Sequence, residues 1–206
     1  MTTLVVVRHA EAEGNPERRF IGQCDVALSE LGRRQADSLA RRLAGLPISR
    51  IVSSDLCRAL DTVTPLSEAL GIPIDTDPRL REIANGEWGM LLPDEIAAGW
   101  PELWARYQDG EDVLRPGGES WNEVRARVLA AVEEIVREGA DETVVVSTHA
   151  GPILSLLGWA AGAPARGSVF FGPFGRLDNA SISMVALPGP RLLTVNDTGH
   201  LSSGPV

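Results

Sequence analysis

The sequence predicts an α/β fold: a three-layer sandwich with a mostly parallel central sheet, helices on both faces, and a small helical cap over the C-terminal ends of the strands. Three observations predict it. Residues 5 to 7 and 144 to 146 are valine triplets without polar alternation, as expected of strands buried on both faces. Amphipathic stretches with apolar residues at helical spacing lie between the strand candidates, and strand-helix alternation is the pattern of a parallel sheet. Between about residues 83 and 118 the text turns aromatic and is broken by glycine and proline, which reads as a cap over something. The 206 residues suffice for one well-filled domain, so 1–206 is read as a single domain with the cap inserted at about 83–118.

Taken in order, residues 4 to 7 are the first strand, and residues 8 to 28, with Gly14, Pro16, Gly22 and Asp25, are a long loop. Ser29 is the expected N-cap of a helix over residues 31 to 46, with Leu31, Ala36, Leu39, Ala40 and Leu43 on the buried face and Gly45 and Pro47 at its end. Residues 50 to 53 are a second strand, 56 to 70 a helix with Gly71 past its end, and 72 to 74 a third strand. The cap holds Trp88, Trp100, Trp104 and Tyr107 on one or two short helices. Residues 119 to 138 form a helix with Val124, Val128, Ala131, Val132 and Ile135 inward. Residues 143 to 147 are a strand and 151 to 161 a helix, and 181 to 187 with 192 to 195 make a hairpin around Pro188 and Pro190.

Composition excludes several function classes. With 44% apolar and 23% charged residues the chain is ordinary globular material, neither fibrous nor disordered. A net charge of −9 argues against nucleic acid as the ligand, since a phosphate-tracking surface needs a basic face. All 19 basic residues are arginine, which removes Schiff-base and phosphate-loop lysine chemistry. Cys24 and Cys57 are too few for a disulfide framework, and the apolar run after MTT is cut at Arg8. A cytoplasmic protein without membrane contact is therefore expected. The sequence leaves monomer and homodimer open.

The chemistry gathers at strand ends. In an open parallel sheet, ligands bind beyond the carboxyl ends of the strands. Arg8 and His9 leave one such end, His149 leaves another, and Arg58 lies in the first turn of a helix after a third. The helix that follows His149 aims backbone N–H groups at the same space. Two arginines, two histidines and a helix N-terminus make a pocket for a dianion, in which arginine offers a planar fork and neutral imidazole a nucleophile. A single histidine at a strand end is more often structural; two at matching ends shift the balance toward function. A zinc site of His9, His149 and a carboxylate lacks HExxH spacing or a cysteine cluster, and a serine hydrolase lacks a G-x-S-x-G elbow.

These stretches resemble a known family. VVVRHAEAEGN is similar to the opening motif of the histidine phosphatase superfamily, also called phosphoglycerate mutase-like, whose usual form is Arg-His-Gly-Glu followed closely by Asn. GQCDVALSELGRRQA, SSDLCRALDT, LREIANGEWGM, PGGES, VVVSTHAGPI and VNDTGHL match its further segments in order. The resemblance implies that His9 is the nucleophile and becomes a phosphohistidine. It implies that Arg8, Arg58 and His149 hold the phosphoryl oxygens and that Asn15 adds a neutral hydrogen bond. Gln23 and Ala150 complete the implied substrate contacts. Glu82 would protonate the leaving alcohol and then activate water. No metal and no cofactor is implied, because the fixed cations neutralise the charge. Ala10 replaces the usual Gly and Ala12 a frequent Thr or Ser; a methyl at residue 10 is accommodated where its φ is negative.

The expected function is therefore a metal-independent phosphomonoesterase acting on a small phosphorylated metabolite. The alternatives are a phosphoglycerate mutase and a catalytically inactive phosphate-binding module. Mutases of the family carry a longer insertion with added basic residues. Here residues 91–116 hold only Arg106 and Arg115, against Asp94, Glu95, Glu102, Asp109, Glu111 and Asp112. That acidic, aromatic cap suits a sugar, nucleoside or other uncharged leaving group. Arg18 and Arg19 read as solvated loop residues, His200 as structural, and the cap aromatics as local core.

Overall fold

A computed structural model describes residues 1–139, 141–163 and 174–201. Its sheet takes strands from Thr2–Arg8 (β1), Ile48–Ser53 (β2), Ile74–Thr76 (β3), Thr143–Thr148 (β4), Ile182–Leu187 (β5) and Arg191–Asp197 (β6). The α-helices are Glu30–Leu43 (α1), Cys57–Leu70 (α2), Pro93–Gly99 (α3), Pro101–Gln108 (α4), Trp121–Glu138 (α5) and Ala150–Ala160 (α6). Strand order across the sheet is β3-β2-β4-β1-β5-β6. The first four strands run parallel, β5 is antiparallel to β1, and β6 closes the edge antiparallel to β5.

The valine triplets explain the centre of this sheet. Val5 pairs with Val145, Val6 with Val146 and Arg8 with Thr148, so the two strands end at the same level. Their side chains feed two cores. Leu4, Val6, Val144 and Val146 pack with Val124, Val128 and Ile135 of α5 and Ile153 and Leu157 of α6. Val5, Val7, Val145 and Ile51 pack on the other face with Leu39 and Leu43 of α1 and Val63 and Leu66 of α2. A strand covered on both faces has no use for polar alternation, which is why the text reads as a continuous apolar run.

Helix ends follow the expected chemistry with two differences. Ser29 caps α1, its Oγ accepting from the Gly32 N–H at 3.0 Å. Leu31, expected on the buried face, is 43% exposed, and Gly32 is buried in its place. Leu31 lies off the stripe of Ala36 and Leu39, and α1 crosses the first loop so closely that a methyl at residue 32 would strike the Glu11 carbonyl. The third strand starts at Ile74 rather than residue 72. Gly71 ends α2 in the left-handed region (φ 66°), the Ile72 N–H and carbonyl are both bound to Ser67, and Pro73 has no N–H to give a ladder.

The cap is α3 and α4, preceded by a short 3-10 turn at Gly86–Trp88. Trp88 and Tyr107 are buried in a cluster with Phe20, Trp100 and Trp104. Trp88 and Tyr107 meet edge to face at 5.8 Å, and Trp104 stacks on Tyr107 at 5.2 Å. These rings are local core, as expected, but Trp104 and Tyr107 also face a cavity beneath the cap. The loop from Arg115 into α5 is clamped by a capping box between Ser120 and Glu123.

Candidate active site

The paired strand ends open into a cavity of about 690 Å³ lined by Arg8, His9, Asn15, Arg58, Glu82 and Ala150, among others. Six of the eight residues singled out in the sequence thus share one wall system. His149, fully buried, and Gln23 are not among the lining residues. The His9 and His149 rings are 5.1 Å apart, and the His9 N–H donates to the Thr148 carbonyl at 2.8 Å, which ties the two departing chains together.

His9 is held in one tautomer. Its Nδ1 lies 2.7 Å from the Ala10 carbonyl oxygen, and because a carbonyl only accepts, Nδ1 carries the hydrogen. Nε2 is left with its lone pair. Burial, then the charges of Arg58 and Arg8, hold its pKa well below the ordinary value. The ring is therefore a neutral base or nucleophile. His149 is fully buried; its Nε2 is 2.9 Å from the Ser54 hydroxyl, and its Nδ1 has no partner among the described residues. Burial, then Arg58, lowers its pKa in the same way.

Arg8 donates to the Leu177 carbonyl and leaves its buried Nε without a partner. Burial draws its pKa down to about 10, so it stays charged at neutral pH. Arg58, 1% exposed, donates to the carbonyls of Gly22 (2.6 Å) and Cys24 (2.8 Å), and its Nε is likewise unpartnered. Two cations, Arg58 buried and Arg8 half-buried, with no carboxylate in ion-pair contact among the described residues make a site for an anion. Asn15 is oriented for the same purpose. Its Oδ1 accepts from the Ala12 N–H (3.0 Å) and Asn179 Nδ2 (3.1 Å), which turns its own NH₂ group into the cavity's service as a donor.

Glu82 is held by both oxygens, accepting from Ile83 N–H at 3.0 Å and Gly151 N–H at 3.3 Å. Gly151 has to be glycine, because a methyl there would press on the carboxylate and on Trp121. Gln23, expected among the substrate contacts, instead supports this acid: its Nε2 donates to the Glu82 carbonyl at 3.0 Å and approaches Glu119 Oε2 at 3.5 Å. Arg127 does the same from α5, binding the carbonyls of Arg79, Arg81 and Glu82 and pairing with Glu119 at 2.9 Å. The φ of Ala10 is not in the left-handed region. Its methyl packs with Ala12, Leu28, Ala36 and Ala180, away from the anion site, and Ala12 fills the same small cluster.

Among the described residues no group of three His, Cys, Asp or Glu side chains converges on a point that would hold a metal ion, and His9 and His149 each have one ring nitrogen bound elsewhere. No helix among them is long and apolar enough to cross a membrane.

A profile of the histidine phosphatase superfamily, branch 1, matches residues 4–198. The chain belongs to that superfamily. It is 34% identical to phosphoserine phosphatase 1 of Hydrogenobacter thermophilus over 98% of this chain and 95% of the relative. It is 33% identical to a probable phosphoglycerate mutase of Yersinia pestis, again over 98% and 95%. The native structure of a mycobacterial glucosyl-3-phosphoglycerate phosphatase superposes with a TM-score of 0.84 at 33% identity, covering 95% of this chain and 99% of the other.

The neutral histidines of this histidine phosphatase contribute to its acid sensitivity. An unfolded imidazole titrates near about 6.5, whereas His9 and His149 titrate well below that when folded. Below about pH 6.5 the unfolded chain therefore binds protons that the folded chain refuses, and folding weakens as pH falls. Each group contributes a limiting slope of about 1.4 kcal/mol per pH unit. The ligand-free protein is expected to melt at a lower temperature at pH 5 than at pH 7.5, and inorganic phosphate should raise the melting temperature at both. A melting temperature unchanged or higher at pH 5 would contradict the neutral assignment.

Proposed function

We propose that the chain is a metal-independent phosphomonoesterase that hydrolyses a small phosphorylated metabolite through a phosphohistidine. The observation that carries this reading is the His9 ring, with Nδ1–H tied to Ala10 and no hydrogen bond to Nε2 among the described residues, in the field of the buried Arg58 and the half-buried Arg8. His9 Nε2 attacks phosphorus in line with the ester oxygen. The P–O bond breaks, and Glu82 gives its proton to the departing alkoxide. Arg8, Arg58, His149 and the Asn15 amide hold the equatorial oxygens as charge spreads over them. Glu82, now a carboxylate, takes a proton from water as that water attacks the phosphohistidine; inorganic phosphate leaves and neutral His9 returns.

Phosphoserine and glucosyl-3-phosphoglycerate, named for two of the relatives, are small phosphate monoesters, which supports the substrate class. The mutase reading requires that the phosphohistidine be returned to a second hydroxyl instead of water. Turnover of p-nitrophenyl phosphate in EDTA, with stoichiometric inorganic phosphate, is the expected result. No turnover between acid and neutral pH would sink the reading, and conversion of 3-phosphoglycerate to its 2-isomer without phosphate release would replace it with the mutase. Free Cys24 and Cys57 support a reducing, cytoplasmic setting.

A further inference from the structure

The charges of the cap are sorted by direction. Asp94, Glu95, Glu102, Asp109 and Glu111 are exposed, and Asp112 caps α5 by accepting from the N–H groups of Trp121 (2.6 Å) and Asn122 (3.0 Å). What the cap shows the cavity is Arg115. This side chain is 1% exposed and lines the cavity. Its guanidinium carbon lies 4.8 Å from the Trp121 ring, 5.6 Å from Tyr107 and 5.7 Å from Trp88. Nη1 donates to the Glu119 carbonyl at 3.1 Å, Nε is buried without a partner, and no carboxylate among the described residues pairs with it.

A buried cation without a counter-ion is costly, and cation–π contact offsets only part of that cost. Burial accordingly pulls the Arg115 pKa down. A purely structural role, locking the cap to α5, explains the Glu119 bond and the ring contacts. It explains neither the missing anion nor the opening onto the cavity, since an apolar side chain would fill an aromatic box at lower cost. The lining as a whole has the same sign: Arg8, Arg18, Arg19, Arg58, Arg115 and Arg176 face it, with Glu82 the one acid among the described lining residues. Arg8 and Arg58 serve the phosphoryl group at the strand ends. Arg115 reaches the same cavity from the loop between the cap and α5, beside Tyr107 and Trp121, and is the buried cation left to meet the rest of the substrate.

We infer that Arg115 binds a carboxylate on the leaving group, so that the substrates are phosphate monoesters of small hydroxy acids. The inference rests on the phosphomonoesterase reading and narrows it. It reverses the expectation of an uncharged leaving group, which counted the cap's acids without their direction. A guanidinium with one nitrogen already committed still presents the paired N–H fork that fits a carboxylate.

The test is a matched pair, 3-phosphoglycerate and glycerol 3-phosphate, which share a carbon skeleton and a phosphate position and differ by carboxylate against hydroxymethyl. The wild-type protein should favour 3-phosphoglycerate by about 10–100-fold in kcat/KM. Arg115→Gln should bring that ratio to within about threefold of unity, and Arg115→Lys should fall between. Equal kcat/KM in the wild-type protein, or an unchanged ratio in Arg115→Gln, overturns the inference and leaves Arg115 a packing residue. Should Arg115→Gln fail to fold, the wild-type and Arg115→Lys ratios decide alone. Calorimetry of both compounds with His9→Ala gives the ratio of Kd without chemistry. If the wild-type protein turns over no ester, the phosphomonoesterase reading fails, while the Kd ratio still upholds or overturns the carboxylate site.

Discussion

His9→Ala leaves the fold in place and reduces kcat by roughly 10⁴-fold or more, the loss expected when a covalent nucleophile is removed. The fold survives because the imidazole gives the structure little beyond its ring volume. Among the described residues its one side-chain hydrogen bond goes to the adjacent Ala10 carbonyl, which also accepts from Asn179 Nδ2 at 3.3 Å. The bonds that join the two strand ends are backbone bonds, untouched by the substitution. Removing a ring whose pKa is depressed also removes one of the groups that weaken folding in acid, so His9→Ala should melt with a shallower pH dependence than the wild-type protein. The chemical readout is a quench of the reaction with ³²P-labelled ester. Wild-type protein should retain label that survives base and is lost in acid, as a phosphoramidate does, and His9→Ala should retain none. A variant that keeps more than a hundredth of the wild-type rate would place the nucleophile elsewhere.

Which parts of this site were legible in the sequence follows from what local text can encode. The two valine triplets end in Arg8-His9 and Thr148-His149, and parallel register carries both histidines to one level, so position along the strand became position in the pocket. Ser29 and Gly71 act within a few residues, and they start α1 and end α2 as read. Direction was the illegible part. Residues 91–116 are acidic by count, yet five of the six acids turn to solvent, Asp112 caps α5, and Arg115 turns in. Arg127 looks like any polar residue on an amphipathic helix, although it gathers three carbonyls around the Glu82 loop. Gln23 shares that task through a contact 59 residues away in sequence. No periodicity reports such contacts, because they depend on which loop the fold lays across a helix. The exchange of glycine for Ala10 was similarly undecidable until the backbone showed a φ outside the left-handed region and a small-residue cluster to receive the methyl.

Glu82→Gln separates the two halves of the reaction. A nitrophenolate departs without a proton, so the first transfer to His9 should proceed in this variant at close to the wild-type rate. The second half needs a base for water, and an amide is none. With p-nitrophenyl phosphate a rapid release of about one nitrophenolate per site should precede a steady state slowed by about 10²–10⁴-fold. An alkyl ester needs the proton in the first step, so there the slow step comes earlier and no burst appears. Gln keeps the shape of the acid but offers one oxygen where Glu82 uses two, to Ile83 and Gly151. One N–H loses its acceptor, at a cost to stability of about 1 kcal/mol, too little to unfold the site. A steady-state rate with p-nitrophenyl phosphate equal to that of the wild-type protein would remove Glu82 from both steps. Slow turnover without a burst would instead confine it to the first, and water would then need another base.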